Sequence, residues 1–380
     1  METSLNLENF GRKHLRRIHR NLPTPMLYEK IATNREGQMA HLGPVVIRTG
    51  HYSEMSPEDK FIVKDSFSEE KVFWSEEKNE LSENHFNTLF HRLLAYMHDK
   101  EAYVQDCLLG SVPEHQIPIR IVTETAWHSL FARNMYYQIH DPAKLEAFAP
   151  EFTIIHIPGF NAVPEQDGTH SSAFVIYNLS RKLILIGGSS YAGEIKQAVF
   201  TLASYLVPES IFCMRCSANV GADDDVAIFL GREETGKTTL AMDPGRRLLG
   251  DHAHAWTDTG IFNLEWGGYA KLFNLSIDDQ PAVYDCTRRF GTILENVTCD
   301  PDTRRIDLTD GSLTRNTRGV YPISHLPNAI HGGHFDPPRN LFLLTCDAFG
   351  VLPAIARLTP EQAAYAFLSA YTSKFTQTES

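Results

Sequence analysis

Apolar and polar residues follow two different periods along the chain, which predicts strands alternating with helices. Short apolar runs bounded by Gly, Pro or polar residues predict strands at 43–48, 117–122, 152–157, 182–188, 247–251 and 340–345. Helical spacing predicts helices over 80–99, where Phe86, Leu89 and Leu93 share a face, and over 194–206. The basic run at 12–20 predicts a further, solvated helix. Such alternation is typical of an α/β protein.

The most informative segment is a glycine-containing turn between a predicted strand and a predicted helix. It reads G-R-E-E-T-G-K-T-T from Gly231 to Thr239, directly after an apolar run. The pattern G-x-x-x-x-G-K-T in this setting is typical of a phosphate-binding loop, whose backbone N–H groups, lysine and hydroxyl face phosphate and Mg²⁺. We therefore predict a nucleoside triphosphate ligand held by Gly231, Thr235, Gly236, Lys237, Thr238 and Thr239.

A second interpretation of this segment stays open. The two glycines are also compatible with a strand-to-helix turn in which they only relieve backbone strain. Glu233 and Glu234 favour this interpretation, because their negative charges lie inside the turn and oppose phosphate.

Length and charge restrict the classes of function. A chain of 380 residues suggests two domains, which we place at 1–210 and 211–380. A formal net charge of −12 argues against nucleic acid or an anionic membrane as a partner. The sequence shows no membrane-spanning segment, and the six cysteines lack the spacing of a disulfide framework. A protein of the reducing cytoplasm is expected.

Five short segments together are specific to one enzyme family. They are S-Y-A-G-E-I-K (190–196), C-S-A-N-V-G (216–221), G-K-T-T-L (236–240), L-E-N-V (294–297) and D-A-F-G-V-L-P (347–353). Through them the chain from about residue 20 onward resembles the ATP-dependent phosphoenolpyruvate carboxykinases. The resemblance implies two α/β domains, the second a mononucleotide-binding domain with the phosphate loop, and an active site between them. It implies conversion of oxaloacetate and ATP to phosphoenolpyruvate, ADP and CO₂, with Mg²⁺ on the nucleotide and a second ion, usually Mn²⁺.

The residues that the family uses for phosphoryl transfer are present. By resemblance, Lys237 is the loop lysine, Thr238 the Mg²⁺ ligand and Asp251 the acid that supports Mg²⁺. Arg318 matches the arginine that bridges to the transferred phosphoryl group, and Glu295 of the L-E-N-V segment belongs to the nucleotide side. The chain is therefore expected to bind ATP with Mg²⁺.

The residues on the oxaloacetate side are only partly kept. Tyr191 and Lys196 resemble residues that face the organic substrate and CO₂. The lysine, histidine and aspartate that hold Mn²⁺ in the family align instead with Gln197, Arg215 and His252. An amide is a weak ligand and a guanidinium offers no lone pair, so only His252 is a competent ligand. We predict that the Mn²⁺ site is lost.

Two further changes alter charge near the predicted substrate. The family loop T-G-R-S-P-x-D-K reads S-E-M-S-P-E-D-K at 53–60, so Met55 replaces an arginine that binds a carboxylate. Arg215 returns a positive charge where the metal is lost, and it either binds an anion or fixes the protein in one shape. A salt bridge from Arg215 to Glu233 or Glu234 is a third interpretation.

The end of the sequence leads to a separate expectation about the C-terminal domain. In the family, residues that hold adenine follow the segment that corresponds to 367–374, whereas this sequence stops at Ser380. The C-terminal domain is therefore expected to be truncated relative to the family. Either a partner chain completes it, or nucleotide affinity is poor, or the sequence is a fragment of a longer product.

Three hypotheses for function remain. The first is a diverged carboxykinase-like protein that keeps ATP–Mg²⁺ binding, while its carboxykinase activity is weak, lost or redirected to another acceptor, such as a small carboxylate. The second is an ordinary ATP-dependent carboxykinase of gluconeogenesis. The third is a pseudoenzyme that senses nucleotide or completes a partner's fold.

Overall fold

The computed structural model describes residues 15–54, 56–74, 79–232, 235–345, 347 and 349–370. Met55, Glu233, Glu234 and Cys346 lie outside the described residues. The proposed salt bridge of Arg215 with Glu233 or Glu234, and the substitution at Met55, therefore stay predictions from sequence.

The described helices are mostly short. They are α1 (Thr24–Thr33), α2 (Ser66–Lys71), α3 (Glu83–Tyr96), α4 (Ala126–Met135), α5 (Pro142–Glu146), α6 (Pro164–Asp167), α7 (Gly193–Leu206), α8 (Lys237–Ala241), α9 (Pro281–Cys286) and α10 (Pro360–Ala370). Three 3₁₀ turns lie at Pro57–Asp59, Pro113–His115 and Ile323–His325.

The described strands are distributed over the whole chain. They are β1 (Arg17–Arg20), β2 (Gly37–Met39), β3 (Val45–Ile47), β4 (Lys60–Lys64), β5 (Asn79–Ser82), β6 (Glu101–Leu109), β7 (Ile117–Thr123), β8 (Tyr137–Gln138), β9 (Phe152–Ile157), β10 (Phe174–Asn178), β11 (Leu183–Gly187), β12 (Phe212–Arg215), β13 (Ser217–Val220), β14 (Val226–Gly231), β15 (Arg247–Gly250), β16 (Ala253–Thr257), β17 (Gly260–Asn263), β18 (Gly267–Lys271), β19 (Ile293–Glu295), β20 (Thr298–Cys299), β21 (Ile306–Asp307), β22 (Arg318–Pro322) and β23 (Asn340–Leu344).

The first half of the chain builds a nine-stranded mixed sheet. Its order is β1-β6-β7-β9-β11-β10-β4-β5, with β8 also on β6. Every residue of β9 and β11 is buried, because α3 covers one face of the sheet and α4 with α7 cover the other. Strands covered on both faces are mostly apolar, which explains the nearly continuous apolar runs in the sequence; Thr153 and His156 are the buried polar residues of β9.

Smaller sheets form the second half. The strand that precedes the phosphate loop lies in the sheet β15-β13-β14-β23, beside the sheet β12-β16-β17. A third sheet has the order β18-β22-β19-β3-β2, so a hairpin from the N-terminal part pairs with strands more than two hundred residues away. The mixed α/β class predicted from the sequence is confirmed, while the domain boundary near residue 210 stays a prediction.

The predicted strands and helices agree best with the structure where the apolar pattern continues without interruption over the whole element. The strand predicted at 152–157 is β9, and the helix predicted at 194–206 is α7, which begins one residue earlier. The helix predicted at 80–99 is shorter, because β5 occupies its first residues. Ser82 then caps α3, its Oγ accepting a hydrogen bond from the backbone N of His85 at 3.1 Å.

The predicted basic helix is wrong over its described part. Arg17–Arg20 form β1, which pairs in parallel with β6. His19 is buried, with Nε2 2.9 Å from Oε2 of Glu101, and Nε of Arg20 donates to Oδ2 of Asp106 at 2.6 Å. These cross-strand partners neutralise the basic residues, which the local pattern alone cannot indicate. Residues 12–14 lie outside the described residues.

The last described strand presents an open edge. Within the described residues β23 pairs only with β14, and large apolar side chains from there onward are strongly exposed. Phe349 is 89% exposed and Ile355 92% exposed. The described part of the chain thus exposes an unpaired strand edge together with large apolar side chains. None of the described helices is both long and apolar enough to cross a lipid bilayer.

Candidate active site

The phosphate-loop segment has the strand–turn–helix arrangement that its sequence predicts. β14 lies between β13 and β23 and ends at Gly231, and α8 begins at Lys237. Gly231 and Gly236 have φ of 153° and 92°, in the region that favours glycine. A Cβ on Gly231 would also lie 2.6 Å from the backbone O of Leu344 in β23. Both glycines are therefore required by the path of the backbone.

The side chain of Lys237 folds back over the loop. Its Nζ donates to the backbone O of Gly231 at 2.7 Å and to that of Arg232 at 2.6 Å. The hydroxyl of Thr235 donates to the O of Arg232 at 2.7 Å. The ammonium group thus lies against the backbone carbonyls at the start of the turn, and its contact with phosphate stays a prediction from the sequence.

Thr238 and Asp251 meet beside the loop. Asp251 follows β15, and Ser217 Oγ donates to its Oδ1 at 2.7 Å. Burial raises the pKa of Asp251, while hydrogen bonds from Ser217 and Thr238 and the charges of Lys196 and His252 oppose the rise. A carboxylate beside a threonine hydroxyl is the oxygen donor set that Mg²⁺ prefers, so these residues fit the predicted ion.

Glu265 lies between Lys196 and His252, two residues that the sequence predicts on the oxaloacetate side. Its carboxylate is buried, with Oε2 3.7 Å from Nζ of Lys196 and Oε1 3.7 Å from Nδ1 of His252. Burial alone raises the pKa of Glu265, but the charges of Lys196 and His252 outweigh it and lower the pKa. The carboxylate is therefore held in its charged form between two basic side chains.

Tyr269 is the centre of a second group. Its hydroxyl donates to Oε2 of Glu295 at 3.0 Å, and the guanidinium of Arg318 lies 5.6 Å from its ring centroid. The ring of Tyr191 lies 6.3 Å away, centroid to centroid, and Nζ of Lys196 lies 5.8 Å from the Tyr269 centroid. The structure thus brings four of the predicted site residues around one tyrosine: Glu295, Arg318, Tyr191 and Lys196.

Burial sets the protonation of this group. It raises the pKa of Glu295 from 4.5 to about 8, although the hydrogen bond from Tyr269 and the charge of Arg318 act in the opposite direction. It also raises the pKa of Tyr191 to about 12, and the charge of Arg318 partly offsets that shift. Arg318 Nε donates to Oδ1 of Asn316 at 2.9 Å, which fixes the plane of the guanidinium.

The three positions at which the sequence predicts the loss of metal ligands, Gln197, Arg215 and His252, lie around one helix turn of α7. Nε2 of Gln197 donates to Oγ1 of Thr201 at 3.1 Å, so its amide is oriented along the helix. The guanidinium of Arg215 lies 5.3 Å from the ring centroid of Phe200, and the ring of His252 lies 6.1 Å from the same centroid. Phe200 is thus close to both basic side chains. Among the described residues, no three His, Cys, Asp or Glu side chains are grouped as metal ligands.

The loop that corresponds to the family's substrate loop is attached to the start of α7. The backbone N of Ser56 donates to Oε1 of Glu194 at 3.0 Å, and the buried Nζ of Lys60 lies 3.5 Å from Oε2 of Glu194. Glu194 precedes Lys196 by two residues on the same helix. The loop and the helix turn that carries Lys196 are therefore joined through Glu194.

Sequence reasoning missed Glu265, Tyr269 and Asn316. The signal for Glu265 was available, since a lone carboxylate stands in an apolar and glycine-rich stretch between β17 and β18. No comparable signal marked Tyr269 or Asn316, whose positions depend on the pairing of β18 with β22.

Comparison with known proteins agrees with this geometry. A family model described as phosphoenolpyruvate carboxykinase matches residues 16–380. A protein of Geobacter metallireducens named phosphoenolpyruvate carboxykinase (ATP) is 50% identical over 375 residues, which cover 98% of this chain and 71% of the relative. The chain belongs to the phosphoenolpyruvate carboxykinase family. A protein of Thermus thermophilus with the same name is 44% identical over 377 residues, with coverage of 98% and 71%.

Membership of the phosphoenolpyruvate carboxykinase family confirms the resemblance drawn from the five sequence segments. A third relative, from Moorella thermoacetica and named phosphoenolpyruvate carboxykinase (ATP) 2, is 46% identical over 380 residues and covers 100% of this chain. The similarity extends over both halves of the chain, so the α/β fold is that of the family. The roles of individual residues stay predictions.

Proposed function

We propose that this protein binds ATP with Mg²⁺ and keeps the phosphoryl-transfer residues of the family, while its carboxykinase reaction with oxaloacetate is weak or redirected to another acceptor. The relatives are named as ATP-dependent phosphoenolpyruvate carboxykinases, which supports ATP as the nucleotide. The observation that carries the proposal is the set of side chains at the three changed metal positions, Gln197, Arg215 and His252.

The nucleotide side fits its predicted ion. Thr238 and Asp251 would hold Mg²⁺, which neutralises charge on the nucleotide phosphates when it is bound. Lys237 orients the phosphates from the loop, and Arg318 is placed beside Tyr269 to stabilise charge on the phosphoryl group in transfer. Both residues stabilise charge without moving a proton.

The oxaloacetate side does not fit a second divalent ion. Arg215 has no lone pair to offer, Gln197 donates its amide to Thr201, and His252 faces the carboxylate of Glu265. Without a metal ion to stabilise the enolate, the activation barrier is higher by several kcal/mol. The rate is then lower by a factor on the order of a thousand. Lys196 and Arg215 provide fixed positive charge in this region, which suits an anionic acceptor.

The first test is calorimetric titration of ATP–Mg²⁺ into the purified chain and into Lys237→Ala. The proposal expects saturable binding that the substitution weakens by about a hundredfold, since the ammonium is the loop's mobile positive charge. An assay of oxaloacetate-dependent ADP release with and without Mn²⁺ then follows. Little turnover and no Mn²⁺ stimulation are expected. Strong stimulation by Mn²⁺ would show an ordinary carboxykinase, and absence of ATP binding would reject the proposal altogether.

A further inference from the structure

A groove lined by arginines lies outside the active site. The end of α1, the β2–β3 hairpin and the residues after β19 enclose about 430 Å³. Arg35 and Arg48 line it, with Val46 and Val297 as its apolar floor and Cys299 at one side. A neighbouring groove of about 280 Å³ shares Gly37 and Gln38 with it and adds Arg304. Three guanidinium groups thus surround one short hairpin.

Within the part of the chain that the structure describes, no carboxylate pairs with these guanidinium groups. Neither Arg35 nor Arg48 forms an ion pair there, and the guanidinium of Arg304 donates to the neutral Oε1 of Gln38 at 3.0 Å. Such an accumulation of positive charge is unusual in a chain with a formal net charge of −12. The local potential therefore favours an anion.

The one carboxylate in the lining is engaged elsewhere. Glu36 accepts hydrogen bonds from the backbone N of Ala126 at 3.0 Å and of Trp127 at 2.9 Å. These amides belong to the first turn of α4, so the carboxylate stabilises a helix N-terminus. Among the described residues Glu36 forms no ion pair with Arg35 or Arg48, and both of its oxygens accept hydrogen bonds from α4.

The backbone holds Arg35 at a position where glycine or asparagine is expected. Its φ is 58°, directly after the end of α1. A residue with a Cβ pays about 1 kcal/mol in this region. Backbone preference therefore does not explain an arginine at this position.

The groove lies on the back of the sheet that carries Glu295. β3 and β19 pair in register, Ile47 opposite Glu295, so alternate residues such as Val46 and Arg48 point to the opposite face. Thr49, next to Arg48, donates its backbone N to Oδ1 of Asn296 at 2.9 Å. The groove is thus separate from the active site, although the same two strands build both.

We infer that this groove binds a small organic anion with two or three carboxylates. Guanidinium groups bind carboxylates through paired, coplanar hydrogen bonds, and the volume admits a molecule of this class. Val46 and Val297 contact its methylene groups. Phosphate sites typically present a succession of backbone N–H groups. This groove instead presents the guanidinium groups of arginines, which favours a carboxylate ligand.

The test is calorimetric titration of tricarballylate into the full chain, without nucleotide or divalent cations. The double variant Arg35→Ala/Arg48→Ala is expected to bind at least about tenfold more weakly, since two charge-assisted contacts are lost. The matched control is Arg305→Ala, which removes an exposed arginine next to Arg304 that does not line the groove, and it is expected to bind as the parent does.

Cys299 gives an independent readout of location. Tricarballylate is expected to slow its alkylation by iodoacetamide, measured by peptide mass spectrometry, in the parent but not in the double variant. Equal binding by parent and double variant, or loss of binding in Arg318→Ala instead, would place the anion in the active site and overturn the inference. Saturable binding of pyrophosphate but not tricarballylate at these arginines would reject the carboxylate assignment.

Discussion

Nζ of Lys196 lies 3.7 Å from Oε2 of Glu265, so a lysine predicted to face the substrate is held by a carboxylate that the sequence motifs do not include. Both side chains are buried, and the other oxygen of Glu265 faces His252. Glu265 therefore holds the basic side chains of Lys196 and His252 in place. Replacing it with glutamine tests the contribution of its charge, because glutamine keeps the side-chain volume.

Glu265→Gln is expected to lower the free energy of unfolding by about 3 kcal/mol, because it removes the carboxylate partner of a buried ammonium while keeping the side-chain volume. Urea denaturation near neutral pH measures the change. The control is Glu151→Gln, which removes an exposed partner of Lys182 and is expected to cost less than about 1 kcal/mol. Similar losses in both variants would mean that Glu265 contributes no more than a surface pair.

Glu295→Gln is expected to change the pH dependence of stability. Because burial raises the folded-state pKa of Glu295 from 4.5 to about 8, the folded protein binds this proton more tightly than the unfolded chain. That contribution is fully present below about pH 4.5 and is lost as the pH rises through about 8.

Between about pH 5 and pH 9 the parent should therefore lose roughly 3 kcal/mol of stability relative to the Gln variant. Urea denaturation of both proteins across this range measures the difference. A constant difference would show that Glu295 titrates near its ordinary value in the folded protein.

Thr238→Val is expected to weaken ATP binding by about tenfold in the presence of Mg²⁺, because the hydroxyl is one of the two oxygen donors predicted for the ion. Binding measured in EDTA should be unchanged, since the loop amides and Lys237 remain. An equal loss in both conditions would assign the hydroxyl to the packing of the loop rather than to the ion.

Restoring the family's metal ligands tests the proposed loss of the second ion. The triple variant Gln197→Lys, Arg215→His and His252→Asp is expected to bind Mn²⁺, seen by loss of the free-ion signal in electron paramagnetic resonance. It should also gain Mn²⁺-stimulated ADP release with oxaloacetate, by a factor on the order of a hundred. The single variant Arg215→His is the control and should gain little.

A parent protein that already binds Mn²⁺ tightly would contradict this expectation. In that case the triple variant would show unchanged or lower activity, because other residues would hold the ion.

The sequence predicted local features of the molecule well. The strand predicted at 152–157 and the helix predicted at 194–206 are both confirmed. Their apolar patterns arise because other elements cover them, and such a pattern can be recognised without knowing which elements these are. Gly231 and Gly236 have φ angles that favour glycine. The glycines in the motif therefore predicted this turn from the sequence alone.

Features that depend on distant partners were not predictable in the same way. Arg17–Arg20 form a strand because β6 supplies Glu101 and Asp106 across the pair, more than eighty residues away. Tyr269 enters the candidate site only when β18 pairs with β22. Local periodicity contains no information on either strand pairing. The resemblance to the family predicted which residues belong to the site, but it did not predict which of them contact one another.

The pairing of β3 with β19 bears on how the chain reaches this structure. Val45 pairs with Ile293, so the apolar residues of β3 leave the ribosome long before their partner strand exists. A contact across such a length of chain is slow to form, because a large loop must close first. The five-stranded sheet is therefore expected to assemble late in folding. Until then the edge of β3 that faces β19 has no strand partner, although β2 pairs with the other edge, so the nascent chain is expected to expose an edge to which other chains can pair.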